Sequence, residues 1–175
     1  MNYILNLFLR LFTAILLVLF GSEIFYFILF FPTFYLSYLT LLFYNPVLVN
    51  SSLIINNINL VFVPACLAAS AYTLLSVLIL LTKGINLRKG IKIFLTGFFI
   101  LFFVNLMRIF ILAVLLIESG IKLFETFHLL FWQVFSTLFV LGLWIFLTKY
   151  FKIKAIPVYS DFKFLLKQLK KSKRN

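Results

Sequence analysis

Residues 93–117, IFLTGFFILFFVNLMRIFILAVLLI, are almost wholly apolar, yet Asn105 and Arg108 lie within them. A run of that length and polarity predicts a membrane-crossing helix, which needs about 20 apolar residues. It also poses a problem. A cation at a bilayer centre costs from about 3 kcal/mol on insertion scales to more than about 10 kcal/mol on an isolated helix. An arginine kept at such depth needs a partner or a purpose.

The composition agrees with a membrane setting. Of 175 residues, 65% are hydrophobic, 20% aromatic and only 11% charged, whereas soluble domains average about 45–50% apolar and about 25% charged. The expectation is an all-α polytopic membrane protein: one transmembrane domain over residues 1–148 and a basic cytoplasmic tail over 149–175. The net charge of +12 does not indicate a nucleic-acid partner. Most cations fall between Lys83 and Lys92 and between Lys149 and Arg174, and short basic segments beside apolar spans are the positive-inside signature. The single Cys excludes an internal disulfide framework and a Cys-based metal site, and no cofactor is expected. The N-terminus, MNYILNLFLRLFTAILLVLF, reads as a retained span rather than a cleaved signal.

Three spans are clear: Ala65 to Leu81, Ile93 to Ile117, and Phe127 to Thr148. The connector TKGINLRKGIK (82–92) carries four cations and no acid and is placed in the cytoplasm. ESGIKLFET (118–126) holds two of the four acids and is placed outside. In the first 60 residues, Tyr3 to Phe31 forms one long span or the first of two. Pro32 is expected to end or kink that helix, with Pro32 to Tyr44 packing as a half-helix. NPVLVNSSLIINNINLVFVP (45–64) alternates and carries Asn56-Asn57 at a turn. It predicts a short external β-like hairpin before the third of about four to five membrane helices.

Three polar residues are then expected at one level. Cys66 begins its helix externally, and so does His128. Arg108 lies ten residues before Glu118, about 15 Å along the helix, and its side chain snorkels toward water. A helix N-terminus or a neighbouring cation lowers a thiol's pKa, His128 exchanges protons near neutral pH, and Cys-plus-His sets perform acyl transfer on unrelated folds. Arg108 would steady either the thiolate or an oxyanion. Asn105, on the same helix face, would orient Arg108 or bind a substrate carbonyl. Each residue also has a plainer reading. Cys66 packs as a small hydrophobe, His128 is an interfacial side chain, and Arg108 pairs with Glu23, Glu118 or Glu125.

The ordered set VPACLAASAY, NLMRI and FHLLFW, each on its own predicted helix, resembles the exosortase/archaeosortase family, most closely its short archaeal pacearchaeosortase branch. The resemblance covers roughly Pro64 to Asp161, including the tail segment KIKAIPVYSD. It implies a sortase-like, membrane-embedded cysteine transpeptidase in the plasma membrane, with its site facing outside. Such enzymes are thought to cleave secreted proteins that carry a C-terminal motif, a transmembrane helix and a basic cluster, and to transfer them to a lipid or cell-surface acceptor. By motif, Cys66 would be the nucleophile, Arg108 the conserved arginine and His128 the acid/base. Many members have C-S-G or C-T-G where this chain has Cys66-Leu67-Ala68. In the tail, Ser160-Asp161 would cap a short interfacial helix.

The competing reading is a non-enzymatic membrane subunit in which Arg108 is a structural ion-pair partner. A transporter would want paired intramembrane charges and a repeat, a zinc enzyme more ligands than one His and one Cys, and a membrane serine protease a nucleophile elbow. The sequence offers none of these.

Overall fold

The computed structural model describes residues 3–82, 84–131 and 135–153. Helix α1 spans Tyr3–Thr40 and is followed by a 3-10 turn, Leu42–Tyr44. Strands β1 (Val47–Val49), β2 (Ser52–Ile55) and β3 (Ile58–Val61) come next, then α2 (Ala69–Leu81), α3 (Leu87–Ser119), α4 (Ile121–Leu130) and α5 (Ser136–Tyr150). The proposed tail helix lies outside the described residues. The chain is mostly helical, with a small antiparallel sheet in the order β1-β2-β3.

Among the described residues, only α1 and α3 are long and apolar enough to cross a membrane; α2 and α5 are apolar but shorter. In the most apolar windows of α1 and α3, only 22% and 28% of residues are buried. A core helix of a water-soluble protein would be mostly covered. Here Phe8, Phe12, Leu19 and Phe27 of α1, and Phe99, Phe103 and Met107 of α3, are exposed, which suits lipid and not water.

Pro32 neither ends α1 nor starts a separate half-helix; it sits inside the helix. The reason lies in the buried stripe Phe25, Leu29, Thr33, Ser37 and Leu41, which recurs every fourth residue across the proline. Tertiary packing on both sides carries the helix over the backbone bond that Pro32 cannot make. The sheet therefore follows the first helix, not the second.

The expected hairpin has a third strand. Asn56 and Asn57 do form the turn of β2-β3, both at positive φ (47° and 64°), with Ile55 paired to Ile58. Two consecutive left-handed residues match the twist of a tight hairpin, and asparagine tolerates them. Asn50, at φ 51°, lies in the β1-β2 connection. Leu53 and Ile55 are buried, Phe62 meets Phe34 edge-on at 5.4 Å, and Tyr26 Oη donates to Phe62 O at 3.2 Å. The sheet is thus fastened to the second half of α1, and β3 delivers the chain to Pro64 and Cys66.

The core joins α1, α2, α3 and α5. Tyr72 stacks on Phe25 with ring centres 5.6 Å apart and packs on Phe98 at 5.2 Å. Gly97 lets α2 and α5 approach α3, since a Cβ there would lie 2.6 Å from Leu75 Cδ2 and 3.0 Å from Leu147 Cδ1. Gly97→Val is expected to lower stability by about 1–3 kcal/mol through overpacking. Thermal unfolding in detergent measures this, and an unchanged melting temperature would contradict the close approach.

Candidate functional site

Cys66 lies in the turn between β3 and α2, three residues ahead of that helix rather than on its first turn. Cys66 N donates to Val63 O at 2.8 Å and Ala69 N to Pro64 O at 3.3 Å. Ala68, the residue before α2, has φ 53° and ψ 33°. That left-handed conformation costs a non-glycine residue about 1–2 kcal/mol, so surrounding contacts must hold it.

The contacts come from α3. Asn105 and Arg108, three residues apart, share the face that meets this turn. Asn105 Nδ2 donates to Cys66 O at 3.0 Å. Arg108 Nη2 donates to Ala65 O at 2.7 Å and to Cys66 O at 3.0 Å. Two carbonyls beside the thiol are thereby clasped by three charge-assisted or amide hydrogen bonds, and the guanidinium lies next to the residue that bears the sulfur. Cys66 Sγ is half-buried, its nearest acceptor being Val61 O at 4.0 Å. Among the described residues no carboxylate pairs with Arg108; carbonyls fill the place expected for Glu23, Glu118 or Glu125.

Ser136 completes the clasp. Arg108 Nη1 donates to Ser136 Oγ at 3.4 Å, and Ser136 Oγ donates to Phe131 O at 2.8 Å. The sequence reading missed Ser136, although a Ser-Thr pair inside an apolar segment is a visible signal. Asn105 Oδ1 and Arg108 Nε are buried and have no hydrogen-bond partner among the described residues.

His128 is placed differently from the expectation. Of the segment from Phe127 to Thr148, the described residues are the end of α4, Phe131, Phe135 and most of α5. Gly120, at φ 80° and ψ 178°, ends α3, and α4 begins at Ile121, six residues ahead of the expected start at Phe127. His128 sits in the last turn of α4, stacked on Phe124 with ring centres 5.3 Å apart. Partial burial, and then the charge of Arg108, hold its pKa below the ordinary 6.5. The imidazole is therefore neutral near pH 7 and able to accept a proton.

Cys66, Arg108 and His128 line the same cavity of about 310 Å³, walled otherwise by residues such as Phe62, Ile109, Leu112 and Phe124. Arg108 also borders two neighbouring cavities. One, of about 370 Å³, includes Ala65, Ser70 and Ser136; the other, of about 200 Å³, includes Asn105, Met107 and Phe139. The arrangement offers a thiol, a proton acceptor and a fixed cation around an apolar chamber. Among the described residues, no group of three or more His, Cys, Asp or Glu side chains is placed to hold a metal ion. No family model, curated protein or solved structure matches the chain.

Proposed function

We propose that this protein is a membrane-embedded cysteine transpeptidase of the sortase-like kind, acting on secreted proteins with a C-terminal motif, membrane helix and basic cluster. The observation that carries the reading is that Cys66, Arg108 and His128, from three separate segments, line one cavity. The resemblance of VPACLAASAY, NLMRI and FHLLFW to exosortases and archaeosortases supports the same reading. Its topology would be multi-pass in the plasma membrane, with the basic connector 82–92 and the tail inside and the sheet and cavity outside, following the distribution of cations.

In the proposed reaction, neutral His128 takes the proton of the Cys66 thiol, and the thiolate attacks the scissile carbonyl carbon. The C–N bond breaks, His128 delivers that proton to the departing amine, and a thioester remains on Cys66. An acceptor nucleophile then loses its proton to His128 and attacks the thioester, and the C–S bond breaks to return the thiolate, which regains the proton from His128. Arg108 supplies positive charge to the thiolate or to the oxyanion. A substrate tethered by its own helix gains in effective concentration at the site. Co-expression with a secreted substrate bearing the three-part C-terminus, followed by mass spectrometry of that terminus, tests the reading. A new C-terminus at the motif is expected, and absence of processing across substrates with varied motifs would count against it.

The pH dependence follows from His128. Its neutral form is required as the proton acceptor, and its lowered pKa keeps that form present at pH 7. Processing in membranes should hold level between pH 7 and 8 and fall only below the ordinary histidine value of 6.5. A decline that begins above pH 7 would remove His128 from that role.

The non-enzymatic reading also has an observation in its favour. Arg108 binds backbone carbonyls of the 65–66 turn, and a purely structural residue would do that too.

A further inference from the structure

At the opposite end of the bundle lies a cavity of about 550 Å³, bounded by the start of α1, the end of α2 and the start of α3. Its polar lining is Asn6, Arg10, Ser76, Thr82 and Asn86. Arg10 Nε donates to Leu80 O at 2.7 Å, which fixes the guanidinium at the cavity wall.

The electrostatics of this end have one sign. Arg88, Lys89 and Lys92 lie on the first turns of α3, and Lys149 and Lys152 follow Leu147, which packs near Gly97 of the same helix. The described acids are remote. Glu23 is thirteen residues beyond Arg10 on α1, about 20 Å along the axis, and Glu118 and Glu125 belong to the far end of α3 and to α4. The rim is apolar: Leu87 is 81% exposed and Ile91 50% exposed.

We propose that this cavity binds the phosphate headgroup of an anionic membrane lipid, with the acyl chains lying over Leu87 and Ile91. Basic pockets between membrane helices recognise such headgroups. The polar lining offers hydrogen bonds to phosphate oxygens, and Arg10 offers a permanent positive charge held at the cavity wall. The exposed apolar rim favours a lipid phosphate over phosphate free in solution, which gains nothing from Leu87 or Ile91.

Native mass spectrometry of the full chain in detergent micelles tests this, with phosphatidylglycerol and phosphatidylcholine as the two probes. Wild type is expected to favour phosphatidylglycerol by about tenfold or more, and Arg10→Gln to lower that preference about fivefold, the loss expected for one cation near an anionic headgroup. Ser76→Leu fills the cavity with a side chain that membrane helices accept, and it should abolish the preference while the protein elutes normally from gel filtration. If Arg10→Gln fails to fold, Ser76→Leu decides. An undiminished preference in Ser76→Leu would assign the lipid to the exposed lysines and overturn the site. Equal binding of the two lipids by wild type would do the same. Loss of the preference on adding inorganic phosphate alone would assign the site to free phosphate and overturn the lipid.

Discussion

Cys66→Ala and Cys66→Ser are each expected to abolish substrate processing, by about 10³-fold or more, while leaving the protein in the membrane at wild-type abundance. Alanine removes the nucleophile. Serine keeps the shape but offers a hydroxyl, a weaker nucleophile than a thiol when the one base beside it is an imidazole. The fold should scarcely register either change. Cys66 is half-buried, and the hydrogen bond from its Sγ to Val61 O, at 4.0 Å, is at the limit for sulfur. The bonds that organise the turn run to the carbonyls of residues 65 and 66, and both substitutions preserve them. Intact-mass analysis of trapped wild-type enzyme should also show a substrate fragment on Cys66, released by hydroxylamine as a thioester is. Normal processing by Cys66→Ala would end the transpeptidase proposal.

The candidate site was legible because polar residues are scarce in so apolar a chain. Asn105 and Arg108 stand out in α3 for that reason, and both meet the turn that holds Cys66. The Asn56-Asn57 turn was legible too, since paired asparagines tolerate positive φ. Other features depend on contacts that no local pattern encodes. Pro32 would break an isolated helix, but the buried stripe from Phe25 to Leu41 carries α1 across it. Gly120 at positive φ ends α3 and starts α4 at Ile121, so His128 lies seven residues beyond the start of its helix rather than on its first turn. Ala68 is the least foreseeable. It adopts the left-handed conformation that glycine would adopt freely, and no glycine marks the place in the sequence.

Arg108→Ala separates the two readings of the intramembrane arginine, because its effects on membrane insertion and on chemistry have opposite signs. Removing a cation from the span favours insertion by about 3 kcal/mol. Against this, Ala65 O loses its Arg108 donor, a hydrogen bond to a charged group worth about 1.5–3 kcal/mol, and keeps only the longer bond from Ala68 N at 3.4 Å. Cys66 O keeps Asn105 Nδ2. The two terms nearly cancel, so folded protein should persist at close to wild-type abundance. Processing should not, since removing one preorganised donor of this kind lowers rates by about 10²–10³-fold and the charge beside the thiol is lost as well. Arg108→Lys provides the finer test. Lysine restores the charge but, as a point donor, cannot reproduce a fork that reaches Ala65 O, Cys66 O and Ser136 Oγ together. It should keep wild-type abundance and recover activity only in part. If Arg108→Ala instead vanishes from the membrane and Arg108→Lys restores both abundance and full processing, the arginine is a structural clasp for the 65–66 turn. Loss of processing at full abundance would place the arginine in the chemistry.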